Sequence, residues 1–121
     1  MGKTIMVVDD ERVFHNLYAE MLEDTEYRLI HVYDGDEALL ELEKEKPDLV
    51  ILDMVMDMVT GDTFFLHLRG MPEFEDIPVI IISSQPKRDY KSLKDIEPNL
   101  TFLDKTVIKE KLLDEITAKI G

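Results

Sequence analysis

Leu49-Val50-Ile51-Leu52-Asp53 is the stretch that decides how this chain reads: an unbroken apolar run, then a carboxylate, then a loop from Met54 to Thr60 that closes on Gly61. A short apolar run without alternation reads as a strand buried on both faces. A carboxylate at the mouth of such a strand carries a desolvation cost unless something compensates it. The same design recurs along the chain. Ile5-Met6-Val7-Val8 ends in Asp9-Asp10, Val79-Ile80-Ile81-Ile82 ends in Ser83-Ser84, and Leu100 to Leu103 leads to Asp104-Lys105. Asp9, Asp10, Asp53, Ser83 and Lys105 thus sit at the ends of strand-like runs.

Helical patterns lie between the runs. From Glu11 to about Asp24 the apolar residues Val13, Phe14, Leu17, Tyr18, Met21 and Leu22 form one stripe, and Asp9-Asp10-Glu11 place acids at its start, where the helix dipole favours them. Arg28 to Tyr33 reads as a second strand, mixed enough in polarity to lie near a sheet edge. Asp34-Gly35-Asp36 then turns into a helix with Asp34 or Asp36 as cap and Ala38, Leu39 and Leu42 inward; Pro47 stops it. Asp62 to Gly70 reads as a short helix packing through Phe64, Phe65 and Leu68. Ile77-Pro78 opens the next strand. A weak helix is expected from Pro86 to about Asp95, with Tyr90, Leu93 and Ile96 inward. A last helix, capped by Thr106, carries Val107, Ile108, Leu112, Leu113, Ile116 and Ile120.

Strands and helices alternating in this way predict an α/β fold: an open parallel sheet with helices on both faces. Sites in such sheets lie beyond the carboxyl ends of the strands, where the residues above would gather. At 121 residues the chain, 1–121, reads as a single domain. Its formal net charge of -13 argues against a nucleic-acid surface and against anionic lipid, and fits cationic ligands or partners. The absence of cysteine excludes disulfides and thiolate chemistry. No apolar run reaches the length of a membrane span and no signal-peptide core is present, so no membrane insertion and a cytoplasmic location are expected.

Asp9, Asp10 and Asp53 would crowd three anions together, and a divalent cation would resolve the repulsion. All-oxygen ligands suit Mg²⁺ or Mn²⁺. A carboxylate is a competent nucleophile at phosphorus, and Lys105 with the metal would meet the charge on the equatorial oxygens. The Ser83 hydroxyl would donate to a phosphoryl oxygen. Singly, each residue has an ordinary reading as a helix cap, a turn hydroxyl or a surface lysine. Their joint placement is what points to chemistry. His15, His31 and His67 have no metal-ligand spacing, and His15 reads as a surface or partner-contact residue. Neither a Walker A loop nor a G-x-G-x-x-G motif is present.

Across almost its whole length the chain resembles a response-regulator receiver domain of two-component signalling, chemotaxis receivers included. The resemblance rests on Val7-Val8-Asp9-Asp10, on Leu52-Asp53-Met54-Val55-Met56 closing on Gly61, and on Tyr33-Asp34-Gly35-Asp36-Glu37-Ala38-Leu39. It rests equally on Val79 to Ile82 followed by Ser83-Ser84, and on Phe102-Leu103-Asp104-Lys105. It implies a (βα)5 flavodoxin-like sheet of strand order 2-1-3-4-5. It implies that Asp53 takes phosphate from the phosphohistidine of a sensor histidine kinase or phosphotransfer protein. Asp10 would bind Mg²⁺ directly, Asp9 mainly through water, and Val55 through its backbone carbonyl, while Ser83 and Lys105 grip the phosphoryl group. Phe102 would turn inward as Ser83 moves, reshaping the face of the fourth helix, fifth strand and fifth helix toward an output protein. No turnover of a separate substrate, and no direct contact with nucleic acid, is expected.

Two positions depart from the family pattern. Asp57 stands where proline is usual; it could weaken phosphate binding, tighten metal binding or face water. Thr106 replaces the proline that usually follows the lysine in a cis peptide; because a non-proline cis bond costs roughly 3–4 kcal/mol, a trans bond with a shifted loop is an open alternative. Two other functions compete: a pseudo-receiver that binds protein without using phosphate, and a metal-dependent phosphatase. The second is disfavoured by the lack of a cap domain and by Val55 standing where an acid/base aspartate would be needed.

Overall fold

The computed structural model describes residues 2–56, 60–84, 91 and 93–121. Five parallel strands, β1 (Thr4–Val8), β2 (Arg28–Val32), β3 (Leu49–Asp53), β4 (Val79–Ser83) and β5 (Thr101–Asp104), form one sheet in the order β2-β1-β3-β4-β5. The expected flavodoxin-like order is therefore the order observed. Every residue of β1, β3 and β4 is buried, whereas β2 exposes Arg28 and half-buries the next three residues. The unbroken apolar runs became interior strands and the mixed run became an edge.

Because side chains alternate across a strand, one run supplies both cores. Met6, Val8, Val50, Leu52, Val79 and Ile81 face one way, onto α2 (Gly35–Lys44) and α3 (Gly61–Arg69) through Ala38, Leu42, Phe64, Phe65 and Leu68. Ile5, Val7, Leu49, Ile51, Ile80 and Ile82 face the other way, onto α1 (Arg12–Met21) and the C-terminal helix (Ile108–Ile120) through Tyr18, Leu112 and Ile116. Burial of each such aliphatic side chain stabilises the fold by about 1.5–3 kcal/mol, so the two cores hold the crossover helices α1, α2 and α3 and the C-terminal helix against the sheet.

Local signals fixed several boundaries. Asp34 caps α2 by accepting from the Glu37 N–H at 2.7 Å. Gly70 follows α3, and 3-10 turns at Pro72–Phe74 and Lys105–Val107 complete the connections. Four expectations are corrected, the first being Leu113, placed in the inward stripe of the last helix but 38% exposed. The α1 stripe is rotated: Val13 is 63% exposed, and His15 is buried beside Tyr18. Ile96, expected inward, is 52% exposed, while Leu93 is buried. Thr106 does not cap the last helix, whose preceding residue is Val107 with no side-chain cap. Asp57, Tyr90 and most of the helix expected from Pro86 lie outside the described residues.

Candidate functional site

The carboxyl ends of β1 and β3 are adjacent in the sheet, so the acids that follow them meet. Asp53 ends β3 opposite Ile82 and is 1% exposed. The next residue stays in register, its N–H donating to the Ile82 carbonyl at 3.0 Å. Gly61 closes the loop by donating its N–H to the Met54 carbonyl at 2.9 Å. A Cβ on Gly61 would lie 2.4 Å from the Asp53 carbonyl oxygen and 2.7 Å from the Met54 Cα. Both are backbone atoms and cannot step aside, so glycine is required for this approach.

Asp9 ends β1 and is likewise 1% exposed. Its N–H donates to the Val32 carbonyl at 3.2 Å, and its Oδ1 accepts from the Glu11 N–H at 2.8 Å. One carboxylate oxygen from each of Asp9, Asp10, Glu11 and Asp53 can be chosen so that all lie within 4.8 Å of one another. Lys105, from the end of β5, brings its Nζ to 3.4 Å from Asp53 Oδ1 and 3.9 Å from Glu11 Oε1, and 4.7 Å from the centroid of the Phe14 ring.

The electrostatics of this cluster are unbalanced. Asp9 Oδ2 and both oxygens of Asp53 are buried without a hydrogen-bond partner. Burial, reinforced by the Asp53 charge, raises the Asp9 carboxyl from 3.8 to about 7, against the opposing Glu11 N–H. Burial also pushes the Asp53 carboxyl above the usual carboxylate range despite Lys105. Native interiors leave few such atoms unpaired. Orphaned, acceptor-only oxygens gathered at one point are the donor set of a hard divalent cation with room for water or a further oxygen ligand. The residues present therefore fit Mg²⁺ or Mn²⁺.

The other predicted residues fall around this cluster. Ser83, 2% exposed, ends β4 opposite Asp104, one position beyond the partner of Asp53. Val55 follows two residues after Asp53 with 61% of its surface exposed. Phe102 pairs with Ile81 and packs, half-buried, against the α2–α3 core. No peptide bond among the described residues is cis, so the Lys105–Thr106 bond is trans. The backbone there is held by Asp104, whose Oδ1 accepts from the Thr106 N–H at 2.9 Å and from Thr106 Oγ1 at 2.8 Å. Those bonds hold the Asp104 carboxyl below the usual range. A threonine-aspartate turn thus occupies the place where the family usually has proline, and it leaves Lys105 within reach of Asp53.

Sequence reasoning missed two residues. Glu11 was read only as a helix-start acid, yet it joins the cluster and approaches Lys105. Its signal was the run of acids Asp9-Asp10-Glu11. His15, expected at the surface, is 2% exposed. Its Nε2 lies 2.7 Å from the Asp9 carbonyl oxygen and its Nδ1 lies 2.7 Å from Nδ1 of His31. The signal was its i, i+3, i+7 spacing with Tyr18 and Leu22, an apolar stripe with a histidine in it. Burial holds both imidazoles below their ordinary 6.5.

Comparison with known proteins agrees with this geometry. Residues 5–117 match the family described as the response regulator receiver domain. The alkaline phosphatase synthesis transcriptional regulatory protein PhoP of Bacillus subtilis is 44% identical over 93 residues, 77% of this chain and 38% of that protein. The phosphate regulon regulatory protein PhoB of Rhizobium meliloti is 29% identical over 96% of this chain and 49% of its own length. The chain thus spans half or less of these relatives. Among solved structures, the receiver domain of a signal transduction histidine kinase from Syntrophus aciditrophicus superposes with a TM-score of 0.84 at 27% identity, covering 98% of this chain and 90% of that one. The receiver domain of a sensor histidine kinase from Pseudomonas aeruginosa, which has a magnesium ion coordinated in its active-site cleft, shares the fold with a TM-score of 0.85 at 20% identity, covering 100% of this chain and 99% of that one. The chain belongs to the response regulator receiver domain family, the signalling domains of two-component systems. Among the described residues no helix is long and apolar enough to cross a membrane.

Proposed function

We propose that residues 1–121 form a single phosphoacceptor domain that takes a phosphoryl group onto Asp53 from the phosphohistidine of a sensor histidine kinase or phosphotransfer protein, in the cytoplasm. The observation that carries the reading is the buried Asp53 carboxylate, with neither oxygen hydrogen-bonded and an ammonium 3.4 Å away. A buried, unsatisfied carboxylate facing a cation is poised to attack and poorly explained as a structural group.

In the reaction an Asp53 oxygen forms a bond to phosphorus as the phosphorus–nitrogen bond of the donor breaks, and the histidine nitrogen leaves with the bonding pair and takes up a proton. Asp10 and the Val55 carbonyl would hold Mg²⁺ directly, with Asp9 acting mainly through water. The bound ion supplies charge neutralisation at the phosphoryl oxygens and at the crowded acids. Lys105 and the Ser83 hydroxyl grip the remaining phosphoryl oxygens. Once charged, the acyl phosphate draws Ser83 toward it, and Phe102 turns inward into the space vacated. That rearrangement alters the face around β5 and the C-terminal helix that an output protein reads. The domain turns over no substrate other than its own phosphoryl group.

Incubation with Mg²⁺ and acetyl phosphate or phosphoramidate, followed by intact mass measurement, tests this. One phosphoryl adduct is expected, absent without Mg²⁺ and absent in Asp53→Asn. No adduct on the wild type would sink the phosphoacceptor reading and favour a protein-binding pseudo-receiver. Steady phosphate release from unrelated monoesters would favour a phosphatase.

A further inference from the structure

His15 and His31 are absorbed by neither the core nor the phosphoryl chemistry. His15 is buried on α1, and His31 is half-buried on the edge strand β2. Two imidazole nitrogens 2.7 Å apart share one hydrogen, because two facing N–H groups would repel. Direction follows from the third partner. The Asp9 carbonyl only accepts, so the His15 Nε2 at 2.7 Å from it carries a hydrogen. In a neutral ring Nδ1 of His15 is then the lone pair, and the shared hydrogen sits on Nδ1 of His31. The Tyr33 ring packs against that of His15, 4.2 Å between centroids.

This run of hydrogen bonds ends on Asp9, one of the four acids of the cluster. Asp9 is fixed by its N–H to the Val32 carbonyl, by its Oδ1 to the Glu11 N–H, and by its carbonyl to His15. Val32, which holds Asp9 directly, and His31, which holds it through His15, are neighbours on β2. What remains free on Asp9 is Oδ2.

We infer that His31 and His15 form a strut of fixed hydrogen-bond direction, His31 Nδ1–H to His15 Nδ1 and His15 Nε2–H to the Asp9 carbonyl, that positions Asp9 for the divalent cation. His15 is a positioning residue, acting through Asp9 and not on the phosphoryl group. The inference rests on the proposed function for its metal arm alone. Removing an outer-shell partner of a direct metal ligand typically lowers metal affinity 10- to 100-fold, and Asp9, which reaches the ion mainly through water, sets the lower end of that range for His15.

The test uses the full chain with Mg²⁺ alone as the probe. Without the ion, ring-nitrogen NMR is expected to show a hydrogen on Nε2 but not Nδ1 of His15, and on Nδ1 of His31. In Mg²⁺ titrations, His15→Met is expected to weaken binding at least tenfold, whereas His15→Gln, which keeps an N–H near the Asp9 carbonyl, stays within about threefold of the wild type. The Glu11 amide, held by Asp9, is expected to exchange with solvent faster in His15→Met but not in His15→Gln. A purely structural role predicts that Met and Gln behave alike. Equal Mg²⁺ affinity and equal Glu11 exchange in the two variants, or a His15 ring with its hydrogen on Nδ1, overturns the strut. If the wild type binds no Mg²⁺, the function proposed above fails instead, and the ring hydrogens and Glu11 exchange, both read without the ion, still decide the strut.

Discussion

An aspartate stands at each end of the strand β3, and the two are opposites. Asp48, just before its first residue, is exposed, and its Oδ2 accepts from the Thr4 N–H at 2.7 Å, tying β3 to β1. Nearby, Glu45 accepts from Thr4 Oγ1 at 3.4 Å and pairs with Arg28. Asp53, at the other end, is buried, and neither of its oxygens accepts a hydrogen bond. The amino end of the sheet pairs its carboxylates, as native structures do. The carboxyl end leaves Asp9 Oδ2 and both Asp53 oxygens without a hydrogen bond, facing only the Lys105 ammonium. That difference separates a residue that stabilises the fold from one the fold must accommodate, and strain of this kind collects where function lies.

The comparison can be broken most strongly at Asp9. Its folded pKa is raised from 3.8 to about 7. A raised carboxyl favours folding while protonated; that contribution is complete below about pH 4 and is lost as pH rises through 7. Metal-free wild type is therefore expected to lose stability between pH 5 and pH 8. Asp9→Asn, which keeps an acceptor for the Glu11 N–H, should escape the Asp9 share of that loss, though not the share from the raised Asp53 carboxyl, and exceed wild type at pH 8 by on the order of 3 kcal/mol. Saturating Mg²⁺ should narrow the gap by binding the wild type. Thermal denaturation at both pH values checks this, and an Asn variant less stable than wild type at pH 8 would contradict it.

A smaller effect is expected at Gly61. Alanine there drives a methyl into the Asp53 and Met54 backbone. Stability should fall by about 1–3 kcal/mol, and phosphorylation by acetyl phosphate should slow, because the strand end that carries Asp53 must shift. Urea denaturation and the rate of adduct formation report the two separately. An alanine variant with wild-type phosphorylation would show that the close approach does not place the acceptor.

The smallest effect sharpens the contrast from the other end. Asp48→Ala removes one hydrogen bond to Thr4 and should cost about 1 kcal/mol, with the rate and extent of phosphorylation unchanged. A loss of phosphorylation beyond the loss of stability would mean that the two ends of β3 are coupled.

Much of this was legible in advance, for a physical reason. Strands buried on both faces must be apolar throughout, so Ile5–Val8, Leu49–Leu52 and Val79–Ile82 could be little else, and alternation with helices dictates a parallel sheet. Polar residues after such runs necessarily cluster at one edge, so Asp9, Asp10, Asp53, Ser83 and Lys105 could be named from their positions in the chain. The linear pattern did not carry the phase of α1 or the partner of each polar atom. One residue on a helix is about 100° of rotation, and a stripe of Val13, Phe14, Leu17 and Tyr18 is nearly as good as one of Phe14, His15, Leu17 and Tyr18. Packing against the sheet chose the second and buried an imidazole. The turn after Lys105 is likewise held by the Asp104 carboxylate accepting twice from the same threonine.

Sequence by itself determined the parallel sheet and the residues at its carboxyl edge, because burial and periodicity are properties of runs; the strand order came from the family resemblance. Only the tertiary structure decided that Asp48 is satisfied and Asp53 is not, that Glu11 completes the acidic cluster, and that His15 holds Asp9. Hydrogen bonding and desolvation are set by distances between segments far apart in the chain, and no run of residues contains them.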